Sequence, residues 1–291
     1  MATRRQWIEG ARPRTLPAAI APVLLGCAIA EFENSFRLDI ALLAFVVALS
    51  LQIGVNYAND YSDGIRGTDD IRVGPVRLVG QGLASPHEVK NSAFLCFAIA
   101  GFAGLGMTAL SKLWILIPLG ISAIIAAWFY TGGKRPYGYA GLGELFVFLY
   151  FGLVAVCGTS ASQTGHLTLL SILGGCSCGL LSTAILVANN VRDIPSDITA
   201  KKQTLAVRLG DKNARNFYLL CVVTGIALSI ALAATGPQLA AVGLFAFAIA
   251  YGPIQIIRNG ATGRALIPVL AGTGRALLVY SLIVSFAIIN S

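Results

Sequence analysis

Charge is scarce in this chain of 291 residues: Asp, Glu, Lys and Arg together make up 12% of it, about half the share found in soluble globular domains. With 56% hydrophobic residues and a mean hydropathy of +0.76, that shortage excludes a disordered chain, an ordinary cytosolic enzyme and a basic nucleic-acid-binding domain. Histidine is rarer still. His87 and His166 are too few and too scattered for a histidine metal centre or a catalytic triad. The six cysteines, Cys27, Cys96, Cys157, Cys176, Cys178 and Cys221, lie in apolar runs with no Cys-x-x-Cys spacing. They read as small buried hydrophobes. The basic N-terminus (Arg4, Arg5, Arg12, Arg14) is not followed by a small-residue cleavage site, so no cleavable signal peptide is expected.

Long apolar runs fill the space. A bilayer-crossing helix needs about 20 mostly apolar residues, and nine segments meet that need: 16–32, 38–58, 92–111, 113–131, 141–160, 167–188, 216–234, 238–257 and 273–290. The expected fold is an all-α polytopic membrane protein. Its single domain spans residues 1–291, with about nine helices around a central cavity open to the cytoplasm and laterally to lipid. If the N-terminus is cytoplasmic, 19 of the 21 Lys and Arg residues fall on the inner side, leaving Arg37 and Lys112 outside. That partition follows the positive-inside rule and places the C-terminus outside. The net charge of +8 thereby reflects topology, and no nucleic-acid partner is implied. The two long inner loops, about 59–91 and 189–215, hold most of the polar residues, so function is sought there.

Two acidic clusters open these loops. One reads Asn56-x-x-x-Asp60-x-x-Asp63, continuing to Gly67-x-Asp69; the other reads Asn189-Asn190-Val-Arg192-Asp193-x-x-x-Asp197. On continuous helices the i,i+4 and i,i+3 spacings put each set on one face. Pro195 marks either a kink or the first turn of a new helix. Crowded carboxylates repel unless a cation intervenes, and Asp and Asn oxygens suit Mg2+, which one or two carboxylates and substrate phosphates typically hold. Arg66, Arg72, Arg77, Arg192, Lys202 and Arg208 are interleaved with these acids or follow them. Guanidinium forks and ammonium groups recognise phosphate. Acid and base together suit two Mg2+ ions gripping a diphosphate; a cation channel has no need of the arginines.

These motifs resemble the UbiA-type superfamily of intramembrane aromatic prenyltransferases. Three further stretches, Ala11–Pro22, Tyr130–Glu144 and Asn189–Asp193 running on to Thr204–Gly210, resemble the branch that prenylates 1,4-dihydroxy-2-naphthoate in menaquinone biosynthesis. The resemblance covers nearly the whole chain. It implies transfer of a polyprenyl group from an allylic diphosphate to the naphthoate, with loss of diphosphate and CO2, giving demethylmenaquinone. Asn56, Asp60, Asp63, Asp69, Asn190, Asp193 and Asp197 are then expected at the metals, with Asn56, Asp60, Asp193 and Asp197 central to catalysis. Arg66, Arg72, Arg77, Arg192, Lys202 and Arg208 are expected at the diphosphate. Tyr130, Tyr137, Tyr139, Glu144, Lys134 and Arg14 are candidates for the acceptor, and Arg12 and Arg14 either receive its carboxylate or serve only as topology determinants; Glu144 pairs either with Lys134 or Arg135 or with the substrate. One departure is visible: the family has Gly before the lysine that Lys202 represents, and here Lys201 stands in its place. Another aromatic acceptor such as 4-hydroxybenzoate, or a membrane transporter, is the competing reading. Isoprenoid chain length and oligomeric state are not legible in the sequence.

Overall fold

A computed structural model describes residues 2–67 and 76–291, and every described element is helical. A short α1 (Arg4–Gly10) and a 3-10 turn (Pro13–Thr15) lead into α2 (Pro17–Phe32). Then follow α3 (Leu38–Ile65), α4 (Pro86–Ser111) and α5 (Leu116–Phe129). A helix composed of α6 (Gly143–Phe148), a π-helical segment (Leu149–Val154) and α7 (Ala155–Thr164) comes next. The chain continues with α8 (Leu169–Thr199), α9 (Leu205–Ala234), a 3-10 stretch (Gln238–Phe245) into α10 (Ala246–Arg258), and α11 (Ile267–Ile289). Two long helices begin at capping boxes that satisfy their first amides: Ser85 with Glu88 at α4, and Thr168 with Ser171 at α8.

Helices occupy all nine apolar segments, but they are not equally long. Among the described residues seven are long and apolar enough to cross a membrane, and the bent pair Arg4–Thr15 and Pro17–Phe32, angled at 52°, makes up to eight. The helix in the fourth segment, α5, has 14 residues, about 21 Å at 1.5 Å per residue. That is short of a hydrocarbon core of about 30 Å. The chain is a multi-pass membrane protein. Large side chains such as Phe102, Phe245 and Phe286 point outward, each more than two-thirds exposed, as lipid-facing residues do.

The packing explains where the site lies. α3 and α8 have 28 and 31 residues, about 42 and 46 Å, so both exceed the apolar layer and carry polar last turns. The largest buried cluster joins α2, α8, α9 and α11 through Leu25, Leu181, Ile226, Leu277 and Tyr280. α8 approaches the π-helical segment so closely that a Cβ on Gly152 would stand 2.4 Å from Gly179 Cα and 2.5 Å from Gly175 O. Those glycines let α8 lie against the cavity wall. A second cluster, with Tyr57, Leu78, Val89 and Phe97, backs the end of α3 that carries the acids.

Candidate active site

A cavity of about 350 Å³ runs between α2, α3, α5, the α6–α7 helix and α8. Its wall on α3 is a single stripe: Ala44, Val47, Ala48, Leu51 and Val55 are apolar, whereas Gln52, Asn56, Asn59 and Asp63 are polar. This is helical periodicity maintained from Ala44 to Asp63. Across from the polar end stand Asn189, Asn190 and Asp197 of α8, with Arg12, Arg77, Lys202 and Thr204 beside them. Members of both clusters anticipated from sequence, Asn56 and Asp63 of α3 and Asn189, Asn190 and Asp197 of α8, thus line one chamber, polar at one end and apolar along the rest.

Asp63 is the junction. Lys202 Nζ lies 3.4 Å from its Oδ1, the Tyr139 hydroxyl donates to the same oxygen, and the Lys202 ammonium sits 4.4 Å above the Tyr139 ring. Gln203 N donates to Tyr139 O at 2.9 Å, fixing the 130–140 loop against the turn after α8. That turn has a specific geometry. α8 continues through Pro195 to Thr199, then Lys202 N donates to Asp197 O (2.8 Å) and Lys201 N to Ile198 O (3.0 Å). These are the two hydrogen bonds of a Schellman cap, whose first residue beyond the helix is left-handed. Lys201 is that residue, with φ of 56°. The family glycine is replaced without losing the turn, and the turn carries Lys202 into the cavity.

Of the three aspartates expected to be central to catalysis, Asp197 lines this wall, whereas Asp60 and Asp193 do not. Asp60, 1% exposed, accepts from Leu78 N (2.7 Å) and Val79 N (3.1 Å). It ties the returning chain to α3, and the same return places Arg77 on the cavity. Asp193 is gripped by Arg192 through Nε (2.7 Å) and Nη2 (2.8 Å), while Arg192 Nη2 also donates to Asn189 Oδ1 at 2.8 Å. Arg192, expected at the diphosphate, is engaged in orienting the Asn189–Asp193 turn.

Other candidates have partners or positions away from the chamber. Arg66 donates to the carbonyls of Thr131 and Gly133 and lies over the Tyr139 ring at 5.5 Å, so it tethers the loop. Arg208 is exposed and donates to Gln203 O at 3.2 Å. Lys134 and Arg14 are exposed, and neither lines the cavity; the bend after α1 turns Arg12 inward instead. Glu144 pairs with neither Lys134 nor Arg135: Asn190 Nδ2 donates to its Oε1 at 2.9 Å. Asp69 and Arg72 lie outside the described residues. Tyr130, Tyr137 and Tyr139 do line the chamber. The Tyr137 hydroxyl donates to Ala126 O at 2.9 Å, and burial holds its phenol well above the ordinary tyrosine range. The sequence reading overlooked Gln52, Asn59, Thr131 and Thr204. The signal for Gln52 was present: it is a lone amide one turn before Asn56 in an apolar run.

Among the described residues no three His, Cys, Asp or Glu side chains form a ready metal cluster. The donor set still fits Mg2+ carried in by a diphosphate, because such an ion takes one or two protein carboxylates and fills its other positions with phosphate and water. The residues that could hold it all line the chamber: Asp63 and Asp197 with carboxylates, Asn56 and Asn190 with amides, and Arg77 and Lys202 with positive charge.

Comparison with known proteins agrees in sequence and in fold. The profile of the UbiA prenyltransferase family matches residues 19–267. A 1,4-dihydroxy-2-naphthoate octaprenyltransferase of Mycobacterium tuberculosis is 50% identical over 289 residues, covering 99% of this chain and 98% of that protein. Its Escherichia coli namesake is 40% identical over 232 residues, covering 78% and 75% respectively. The solved structure of a UbiA homolog from Archaeoglobus fulgidus bound to GPP and Mg2+ superposes with a TM-score of 0.71 at 14% identity, covering 98% of this chain and all of that one.

Proposed function

The chain belongs to the UbiA prenyltransferase family, and from that premise we propose that it transfers a polyprenyl group from an allylic polyprenyl diphosphate to 1,4-dihydroxy-2-naphthoate. Diphosphate and CO2 leave, and the product is demethylmenaquinol, the reduced form of demethylmenaquinone, an intermediate of menaquinone biosynthesis. The observation that carries this reading is the single chamber in which Asp63 of α3 meets Asp197 and Lys202 at the end of α8, with an apolar wall beyond them. The acids suit a metal–diphosphate head and the apolar wall suits an isoprenoid tail.

In the reaction the allylic carbon–oxygen bond breaks with its electron pair on the diphosphate. A ring carbon bonds the allylic carbon, and the carboxylate departs as CO2. Arg77 and Lys202 bind the diphosphate and stabilise the charge that grows on it as the bond breaks, which lowers the barrier more than it tightens substrate binding. Asp63, Asp197, Asn56 and Asn190 would hold two Mg2+ ions, whose chemistry when bound is to neutralise the leaving diphosphate. Tyr130, Tyr137 and Phe146 line the chamber between the polar end and the α5 side. Their ring faces suit an allylic cation, and the apolar wall keeps water from quenching it. Asp60 and Asp193 act through the segments they fix. A cation route across the membrane is disfavoured because arginine and lysine are interleaved with both acidic clusters.

The charge partition supports a cytoplasmic N-terminus and an odd number of crossings; nine crossings with α5 as the fourth, a chamber open to the cytoplasm and laterally to lipid, and a place in the cell membrane complete the proposal. The deciding experiment incubates membranes holding the protein with dihydroxynaphthoate, a polyprenyl diphosphate and Mg2+, and follows the products by mass. Decarboxylated prenyl naphthoquinol is expected. Turnover of 4-hydroxybenzoate alone, or no Mg2+-dependent diphosphate release, would overturn the reading.

A further inference from the structure

The bend between α1 and α2 sets a guanidinium and several amides on one wall of the chamber. Arg12 adopts a left-handed conformation, φ of 55°, which an L-residue enters at a cost of about 1–2 kcal/mol. α3 holds the bend in place. Asn56 Nδ2 donates to Ala11 O (2.9 Å) and Thr15 Oγ1 (3.1 Å), Gln52 Nε2 donates to Thr15 Oγ1 (2.8 Å), and Thr15 donates to Arg12 O (2.9 Å). Arg12, Thr15, Gln52 and Asn56 all line the chamber.

The orientation of these groups matters. Gln52 spends its amide nitrogen on the bend, which leaves its amide oxygen, an acceptor, to the cavity. Arg12 is the guanidinium on the same wall, with Asn56 one turn along α3 between Gln52 and the acids. Gln52 lies eleven residues before Asp63 on α3, a rise of about 16 Å, so this wall reaches from Arg12 and Asn56, near the acids, to Gln52 beyond them. A carboxylate needs a charged fork, and a ring hydroxyl needs an acceptor. Dihydroxynaphthoate carries both groups on one rigid ring system.

The geometry points to Arg12 and Gln52 as the determinants that select the aromatic acceptor, with the guanidinium on its carboxylate and the Gln52 amide oxygen on a ring hydroxyl. This rests on the reaction proposed above and adds which wall the acceptor occupies. Holding the ring there fixes which carbon faces the allylic centre. Arg14, two residues on and exposed, takes no part.

The test uses full-length protein in detergent with two acceptors, dihydroxynaphthoate and 1,4-dihydroxynaphthalene, which lacks the carboxylate. Arg12→Asn removes the charge while keeping a residue that tolerates the left-handed backbone. It is expected to raise the KM for dihydroxynaphthoate tenfold or more, to leave the KM for the prenyl diphosphate within twofold, and to abolish the preference over the diol. Gln52→Glu, which sets an anion beside the bound carboxylate, is expected to weaken dihydroxynaphthoate more than the diol. If Arg12→Asn instead raises the KM for the prenyl diphosphate, or if both variants keep the wild-type preference, the assignment is wrong. Wild-type protein that prenylates neither acceptor would fail the functional reading itself, a distinct outcome.

Discussion

Lys202 Nζ lies 3.4 Å from Asp63 Oδ1, with both side chains buried and their positions 139 apart in the chain. The pair joins the end of α3 to the turn after α8, so one contact reports on the chamber's closure and on its charge. Removing one member of a buried pair strands the other, at about 3–5 kcal/mol. Asp63→Asn and Lys202→Met are each expected to lower the melting temperature in detergent and to reduce turnover at least a hundredfold. The double variant should recover much of the lost stability and none of the turnover. A double variant with near-normal turnover would show that the pair only holds the helices together.

Asp60 and Asp193 are expected to behave differently from Asp63. Asp60→Ala leaves the Leu78 and Val79 amides without their acceptor, a cost of about 1–3 kcal/mol for each buried group. The segment that presents Arg77 is then loosened. The KM for the prenyl diphosphate should rise together with a fall in melting temperature, and Asp60→Asn should recover part of both, since one amide oxygen remains. Asp193→Asn should weaken the hold on Arg192 in the same way. A large loss of kcat in either variant, with stability and KM unchanged, would return these residues to the metal site.

Lys201 offers a substitution that should stabilise. Its left-handed φ of 56° costs an L-residue about 1–2 kcal/mol, and glycine adopts it freely at the price of a more flexible unfolded chain. Lys201→Gly is expected to raise stability by up to about 1 kcal/mol with turnover unchanged. Lys201→Val, β-branched at a positive φ, should lower both by displacing Lys202. Thermal melts and initial rates of the two variants check this, and a Val variant as stable as wild type would refute the strained cap.

Much of the helical plan was legible because apolar runs and cap residues are local signals. The Asn56, Asp60 and Asp63 spacing correctly announced a polar helix end. What it could not reveal was which face of that end meets the chamber. Asp60 and Asp63 are three residues apart, and helical geometry turns one toward Leu78 and the other toward Lys202. Arg12 and Arg14 are two residues apart, and a single left-handed residue sends one inward and leaves the other exposed. Charge type is written in the sequence, but direction depends on backbone angles and partners distant in the chain. Glu144 shows the same limit: its partner Asn190 lies 46 residues away, beyond any local pattern.

That Glu144 contact separates two roles for a buried carboxylate. Glu144 is 4% exposed, Asn190 donates to its Oε1 at 2.9 Å, and among the described residues no lysine or arginine lies within ion-pair distance of it. If Glu144 only orients Asn190, an amide oxygen serves equally well. Glu144→Gln should then keep turnover within about twofold, and its melting temperature should not fall, because an uncompensated buried charge is costly. Glu144→Leu removes the acceptor and strands the Asn190 amide, at about 1–3 kcal/mol. It should lower the melting temperature and, through a misplaced Asn190, the rate. If Gln proves as inactive as Leu while remaining folded, the charge itself is needed, and Glu144 must act on a substrate rather than on Asn190.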